Sequence, residues 1–300
     1  MVTKTLKELS RTLLNFVKFS RRVTLCLAII LVILFSGFIV SLFAPCDPRR
    51  WNYVPRDIPP SLGYPFGTTT LGQDVFWLIT HAIKNSIIIG VTGSVVGLVI
   101  GATLGLIAGY KGGLLEKLIL LVGDVFIVLP GLPVIILLGS MMKESLNMFV
   151  LGLIIAFLTW GWPVRNVRSM ILSLREREFT YTARFSNMST FEIIVEEYLP
   201  HVFPWMLASF MGRMLTSMGM EATLAIFGLA SLTEATFGTV LYWALQYKAL
   251  TRGLWWWIFS PILIMVILFV SLYIISTEIN EYLNPRNRIM RLATVKRPQK

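Results

Sequence analysis

The sequence predicts an all-α polytopic membrane protein with six transmembrane helices. Three observations carry that expectation. Hydrophobic residues make up 55% of the 300-residue chain and charged residues only 14%, whereas a water-clothed domain carries about 25% charged residues. Mean hydropathy is +0.72. The apolar residues gather into six runs, each near the ~20 residues that cross a hydrocarbon core.

The first run, 23–44, gives about 33 Å of helix. It is too long for the apolar core of a cleaved leader, and Pro45 stands where a cleavage site needs a relaxed backbone, so it is read as a retained span. The others are 87–110, 115–142 (interrupted by Pro130 and Pro133), 146–164, 202–224 and 254–276. The expected organisation is an N-terminal segment 1–22, a membrane domain 23–284 and a tail 285–300. Two connections are too long to be simple turns, namely 45–86 and 165–201.

The formal net charge is +11. Most Lys and Arg fall in 4–22, 111–117, 165–184 and the tail, with fewer in 49–84 and 248–252. Basic residues collect on the cytoplasmic side, so both termini and the 165–201 connection are expected there, facing anionic lipid, and 45–86 outside. Trp255, Trp256 and Trp257 at one span end, and Trp160 and Trp162 at another, suit interfacial anchors. Long apolar spans interrupt the basic residues, which argues against nucleic-acid binding. Cys26 and Cys46 are about 30 Å apart along a helix and cannot pair within the chain.

Several chemistries are missing. There is no G-x-x-x-x-G-K-[ST] phosphate loop and no H-E-x-x-H zinc motif. His81 and His201 are expected at opposite membrane faces, so they share no metal. The residues give no catalytic or metal site, and the chain is not expected to be an enzyme.

Three constellations stand out. Gly93, Gly97, Gly101, Gly105 and Gly109 recur every four residues on the second span, a stripe that lets another helix approach closely. Asp124 and Arg213 lie inside spans, where a charge must be paired or wet. They either line a polar pathway or form a structural pair, with each other or with a partner subunit; Glu221 is a further candidate partner for Arg213. In 165–201, Phe191, Ile194, Val195 and Tyr198 recur at helical spacing. Leu199-Pro200 is expected to end that helix. Asn187 sits between two helical patterns and tolerates a left-handed bend. Such a helix–bend–helix is either a docking surface for a soluble partner or an amphipathic interfacial hairpin.

These residues resemble the permease subunits of ABC importers, in the dipeptide/oligopeptide branch that also includes oligosaccharide and nickel importers. Gly67, Thr68, Gly72 and Asp74 match the family's external H-x-x-G-T-D-x-x-G-R-D signature, while Tyr64, Thr69 and Gln73 depart from it. The stretch 105–113, Asp124 with Pro130, the stretch 221–229 and Asn284-Pro285-Arg286 are similar to further family patterns. The family's cytoplasmic E-A-A-x₃-G-x₉-I-x-L-P signature falls on 181–200, where Ala183, Leu199 and Pro200 match; Glu178, Arg184 and Ser189 also look like the branch. Tyr181 replaces the family's acid, and Glu178, Glu192 and Glu196 are the nearby carboxylates.

The resemblance implies a type I ABC-importer permease fold in the cell membrane, with both termini cytoplasmic. It also implies a sister permease, two cytoplasmic ATPase subunits carrying the ATP and Mg, and an extracellular solute-binding protein, with no cofactor on this chain. Coupling would run through Glu178, Ala183, Arg184, Asn187, Ser189, Phe191, Leu199 and Pro200. Proline at 187 or 191 is expected to uncouple hydrolysis from uptake of oligopeptides or oligosaccharides. A self-contained secondary transporter or channel is the alternative, and a membrane scaffold without a transport role is a third class.

Overall fold

The structure is a computed structural model that describes residues 20–142 and 147–283. Residues 1–19 of the expected segment 1–22, the expected tail 285–300 and the Asn284-Pro285-Arg286 motif lie outside the described residues. Among the described residues the regular elements are helices, with one isolated bridge between Thr68 and Asp74.

Helix α1 (Arg21–Phe38) runs into a 3₁₀ turn (Val40–Phe43). Helix α2 (Val75–Lys111) has 37 residues and is about 56 Å long. It begins twelve residues before the expected 87, so the connection expected over 45–86 ends at Asp74. The polar residues that suggest a loop are matched inside the fold: Asn85 Nδ2 donates to the Ala235 carbonyl at 2.8 Å, and the Ser86 hydroxyl accepts from the Phe237 N–H at 3.1 Å.

The third run breaks into α3 (Gly113–Val128) and α4 (Gly131–Met141), bent by 80°. Leu129 stands before Pro130 and is pushed out of the helical region (ψ 126°). Pro130 caps α4, and Pro133 lies in its first turn, where no intrahelical acceptor awaits an N–H. The fourth run is α5 (Met148–Thr159) and α6 (Gly161–Arg175), bent by 49°. Because α6 continues to Arg175, the first eleven residues of the expected connection 165–201 are helix. Its buried face is Val164, Val167, Ile171 and Leu174; its charged face carries Arg165 and Arg168.

A short helix α7 (Glu178–Phe185) follows, then a turn (Thr190–Glu192), a π-helical turn (Ile193–Tyr198) and α8 (Leu199–Ile226). The helical path continues through Leu199-Pro200, which does not terminate it. The wide π turn relieves the crowding that a proline ring imposes on the preceding turn. Helices α9 (Phe237–Gln246) and α10 (Trp255–Leu283) complete the described chain.

Helix α2 is the spine, packed by α1, α5, α6 and α8, while α10 closes against α1 and α8. One apolar cluster joins α1, α2, α9 and α10 around Val75, Ile79, Phe237 and Trp257. A second gathers Leu106, Val167, Ile171, Ala183, Ile193 and Tyr198 at the other end, and a third lies around Ile89, Ile135, Ile155 and Leu224. Outward faces of α1, α3 and α10 are apolar, for example Leu31, Val32, Leu121, Val125 and Phe259, as a lipid-facing or subunit-facing rim requires.

By length and composition, three helical stretches are apolar enough to cross a membrane, 21–43, 75–111 and 255–281, or up to five crossings if each bent pair is one span. The expected six are not all in that set: α8, which carries Arg213 and Glu221, falls outside it.

Candidate functional site

At one end of α2 the chain forms a tight elbow. Glu178 opens α7 and Arg184 lies in its last turn, each complementing the helix dipole. Asn187 then adopts φ 61°, the left-handed geometry expected from its type and position. Its N–H donates to Arg184 O at 3.1 Å and the Met188 N–H to Ala183 O at 3.2 Å, which is the paired closure of a Schellman motif. Ser189 starts the next turn with a capping box: its hydroxyl accepts from the Glu192 N–H, and the Glu192 carboxylate accepts from the Ser189 N–H at 2.6 Å. That backbone bond, followed by the Ser189 hydroxyl, holds the Glu192 carboxyl below the usual glutamate range. Glu192 is therefore committed to the turn, which leaves Glu178 and Glu196, both exposed, of the three carboxylates noted near Tyr181 in the sequence.

The expected shared face of Phe191, Ile194, Val195 and Tyr198 is not formed. Ile193 and Tyr198, five residues apart, are buried together, while Phe191 is 74% exposed and Val195 is also outward. A π turn sets its repeat by i→i+5 bonds, so a 3.6-residue period misplaces the stripe. Inside the elbow, Ala183 is buried and Leu199 partly so, with Pro200 outside. The Thr180 hydroxyl ties α7 to α6 through Leu174 O at 2.8 Å. The Arg184 guanidinium lies 5.9 Å from the Tyr110 ring centre. The outer surface presents Phe185, at 88% exposure, and Phe191.

The glycine stripe connects this elbow to the rest of the fold. A Cβ on Gly101 would lie 2.5 Å from Trp160 O; on Gly105, 2.8 Å from Val164 O; on Gly109, 2.7 Å from Ile171 Cβ. Helix α6 therefore rides on α2 with almost no side chain between them. Gly93 faces Ser217 and Gly97 faces Arg213, both of α8.

Of the alternatives the sequence leaves open for the charges within spans, a direct Asp124–Arg213 pair and an Arg213–Glu221 pair are not formed. Asp124 pairs with Arg165 at 2.6 Å, not with Arg213. Glu116 of α3 pairs with Arg168 on the same face of α6. Glu221, 1% exposed, accepts from the Thr236 hydroxyl at 2.6 Å rather than meeting Arg213. Arg213 Nη2 donates to Thr159 O at 2.9 Å and to Thr159 Oγ1 at 2.8 Å. The cause is local. Pro163 stands four residues after Thr159 and has no N–H, so the Thr159 carbonyl has lost its helical donor, and Arg213 supplies one. That Thr-x-x-x-Pro spacing was the available sequence signal. Arg165, by contrast, reads from sequence only as one of a loop's many cations.

The motif at the opposite end caps α2. Asp74 Oδ1 accepts from the Phe76 N–H at 2.9 Å, and burial raises the Asp74 carboxyl against the opposing pull of its N–H partners. Burial likewise pushes the neighbouring Tyr53 phenol to about 12. Thr68 Oγ1 accepts from Ile58 N at 2.8 Å, and its carbonyl from Trp256 Nε1 at 3.1 Å. Gln73, a departure from the family signature, donates to Pro48 O and Arg49 O. Gly67 and Gly72 have φ near +70°. A Cβ on Gly67 would lie 2.6 Å from the Trp256 indole and 2.7 Å from Ile58 O. Gly67→Ala is expected to destabilise the protein by about 2 kcal/mol, from left-handed strain and the clash together. Gly63→Ala, with nothing within 4 Å, should be neutral; thermal unfolding of the two purified variants compares them.

The comparisons with known proteins bear on the same regions. The family described as "Binding-protein-dependent transport system inner membrane component" matches residues 101–289. The oligopeptide transport system permease protein OppC of Mycobacterium bovis is 28% identical over 273 residues, 91% of this chain and 93% of that protein. The dipeptide transport system permease protein DppC of Bacillus subtilis is 26% identical over 270 residues, covering 86% and 80%. The nickel transport system permease protein NikC of Escherichia coli is 26% identical over 195 residues, covering 65% and 70%. With the match running from the middle of the glycine stripe through the last described helix, the chain belongs to the binding-protein-dependent inner membrane components, the membrane-embedded permeases of ABC importers.

Proposed function

We propose that this chain is one of two sister permeases of a peptide importer, with two ATPases seated on its cytoplasmic side and a solute-binding protein feeding it from outside. The observation that carries the reading is the elbow at Asn187. It is closed by its own backbone bonds, exposes Phe185 and Phe191, and is anchored through Ala183, Ile193 and Tyr198 to α6 and α2. Force applied to such a rigid projection reaches α6, and through the glycine stripe it reaches the spine. Six crossings with both termini cytoplasmic fit this placement. Helix α8 supplies the crossing of lower hydropathy, sheltered against α2 and α10, with Met214, Ser217, Met218 and Glu221 buried. ATP and Mg belong to the ATPase partners.

Peptides are favoured as cargo by the names of the relatives that cover most of the chain. Trp243 and Tyr247, aromatic residues whose faces would also suit sugars, pack edge-on or tilted against each other and against Trp51, Tyr242 and Trp257. The test is reconstitution in proteoliposomes. The complete assembly is expected to import peptide on addition of ATP, and omission of the ATPases, the sister or the binding protein to abolish uptake. Ion-driven transport by this chain alone would establish a secondary transporter instead.

A further inference from the structure

Both broken helices and Arg213 meet at one place. A cavity of about 460 Å³ is walled by Leu129 and Gly131 at the α3–α4 break, by Thr159 and Trp162 at the α5–α6 bend, and by Arg213 and Thr216 of α8. Irregular backbone inside a membrane is tolerated where it lines a cavity or is buried in protein, and half-helix ends there commonly meet a polar cargo. Arg213 is the cation of this cavity. Its Nη2 is committed to Thr159, while its Nε is buried without an acceptor. Among the described residues no carboxylate forms an ion pair with it. A cation at that depth without an anion is costly, and the glycine at 97 is what gives it room, since a Cβ there would lie 2.7 Å from Nη2. The other walls are largely apolar, as side chains of a mixed cargo need.

We propose that this cavity is a binding subsite in the translocation pathway that takes the terminal carboxylate of a peptide, with Arg213 as the residue that recognises it. The proposal rests on the peptide-importer reading and names a site within it. Thr216 lies one helical turn from Arg213, is exposed, and lines the cavity, so T216C is a reporter. In the assembled importer, in a C26S/C46S background, trialanine is expected to slow modification of T216C by a thiol reagent, and trialanine amide is not. The R213Q variant should erase that difference and lower the acid-to-amide uptake ratio, relative to the parent, by about tenfold, the worth of a charge-assisted hydrogen bond. Taking the ratio against the parent cancels any preference of the binding protein.

Because Arg213 also serves Thr159, R213K is read beside R213Q. It keeps the charge and should hold the acid preference within about threefold, Lys being a less exact carboxylate partner. Protection by neither peptide, protection by both alike, or an R213Q complex with an unchanged ratio overturns the assignment. Should R213Q fail to assemble, selective protection of T216C with Arg213 intact sustains the proposal and its absence rejects it. A complex that imports no peptide of either kind while T216C is still selectively protected counts against the importer reading, not against the subsite.

Discussion

Gly101→Val is expected to remove most of the folded protein from the membrane. A Cβ at this position would stand 2.5 Å from Trp160 O and 2.6 Å from Pro163 Cβ. Neither neighbour can swing aside. One is main chain at the bend between α5 and α6, and the other is a proline ring in the first turn of α6. Valine adds two methyl groups beyond that Cβ. Overpacking in a filled core typically costs about 1–3 kcal/mol, and this contact belongs at the upper end because the backbones themselves must part. For a chain of this size about 3 kcal/mol lowers Tm by about 5 °C, readable in detergent along with membrane abundance. Gly219→Ala is the matched control: it is helical, with nothing within 4 Å, and alanine should be neutral or stabilising by up to about 1 kcal/mol. Equal abundance and Tm for the Gly101→Val variant and the parent would show that α2 and α6 do not meet as closely as described.

The stripe was legible because five glycines at one spacing leave little else to infer. Its partner was not. Over Gly101, Gly105 and Gly109 the helix that lies on it is α6, and the sequence places only Gly161, Trp162, Pro163 and Val164 of that helix in a span, reading Arg165 onward as a cytoplasmic connection. The error has a physical source. A helix that buries Val164, Val167, Ile171 and Leu174 on one side and pairs Arg165 and Arg168 with Asp124 and Glu116 on the other has a low mean hydropathy, and hydropathy alone does not distinguish it from a loop. The early start of α2 was hidden in the same way, since Asn85 and Ser86 find their partners at Ala235 and Phe237, some 150 residues along the chain. Asn187 was legible because its left-handed geometry is a local property of an asparagine between two helical stretches. The neighbouring stripe was misassigned because a π turn changes the period without announcing itself in composition.

The ionisable residues carry the same lesson. Asp124 and Arg213 are the conspicuous charges within the expected spans, and the sequence leaves open whether they line a pathway or pair. The structure instead gives each a partner beside the α5–α6 bend. Arg213 fills the donor vacancy that Pro163 leaves at Thr159, and Asp124 takes Arg165 from the charged face of α6. The two bonds pin opposite sides of the same α5–α6 bend. Under the proposed coupling, a displacement of the elbow that moves α6 would strain or exchange both, and this bend would be where motion from α7 reaches the cavity wall.

Under that coupling scheme the largest functional loss is expected from Asn187→Pro. Asn187 holds φ 61°, whereas proline is fixed near −65°, so the elbow cannot keep its shape. Proline also deletes the N–H that donates to Arg184 O. The change is confined to an exposed bend beneath which the Ala183, Ile193 and Tyr198 cluster is packed independently, so membrane abundance should stay within about twofold while ATP-driven uptake falls at least tenfold, as when a coupling contact worth more than about 1.4 kcal/mol is lost. Asn187→Gly, free to adopt positive φ, should retain most uptake. The sequence alone treats proline at 187 and at 191 as equivalent, and the structure separates them. Phe191 is the second residue of the turn capped by Ser189, where an N–H has no intrahelical acceptor and proline is tolerated. Phe191→Pro should therefore match Phe191→Ala, each losing only the exposed ring, and both should fall well short of the Asn187→Pro defect. Normal uptake with Asn187→Pro, measured with the ATPases still bound, would remove the elbow from the coupling path; equal severity at the two positions would mean that the Ser189 turn, not the left-handed residue, holds the docking surface in shape.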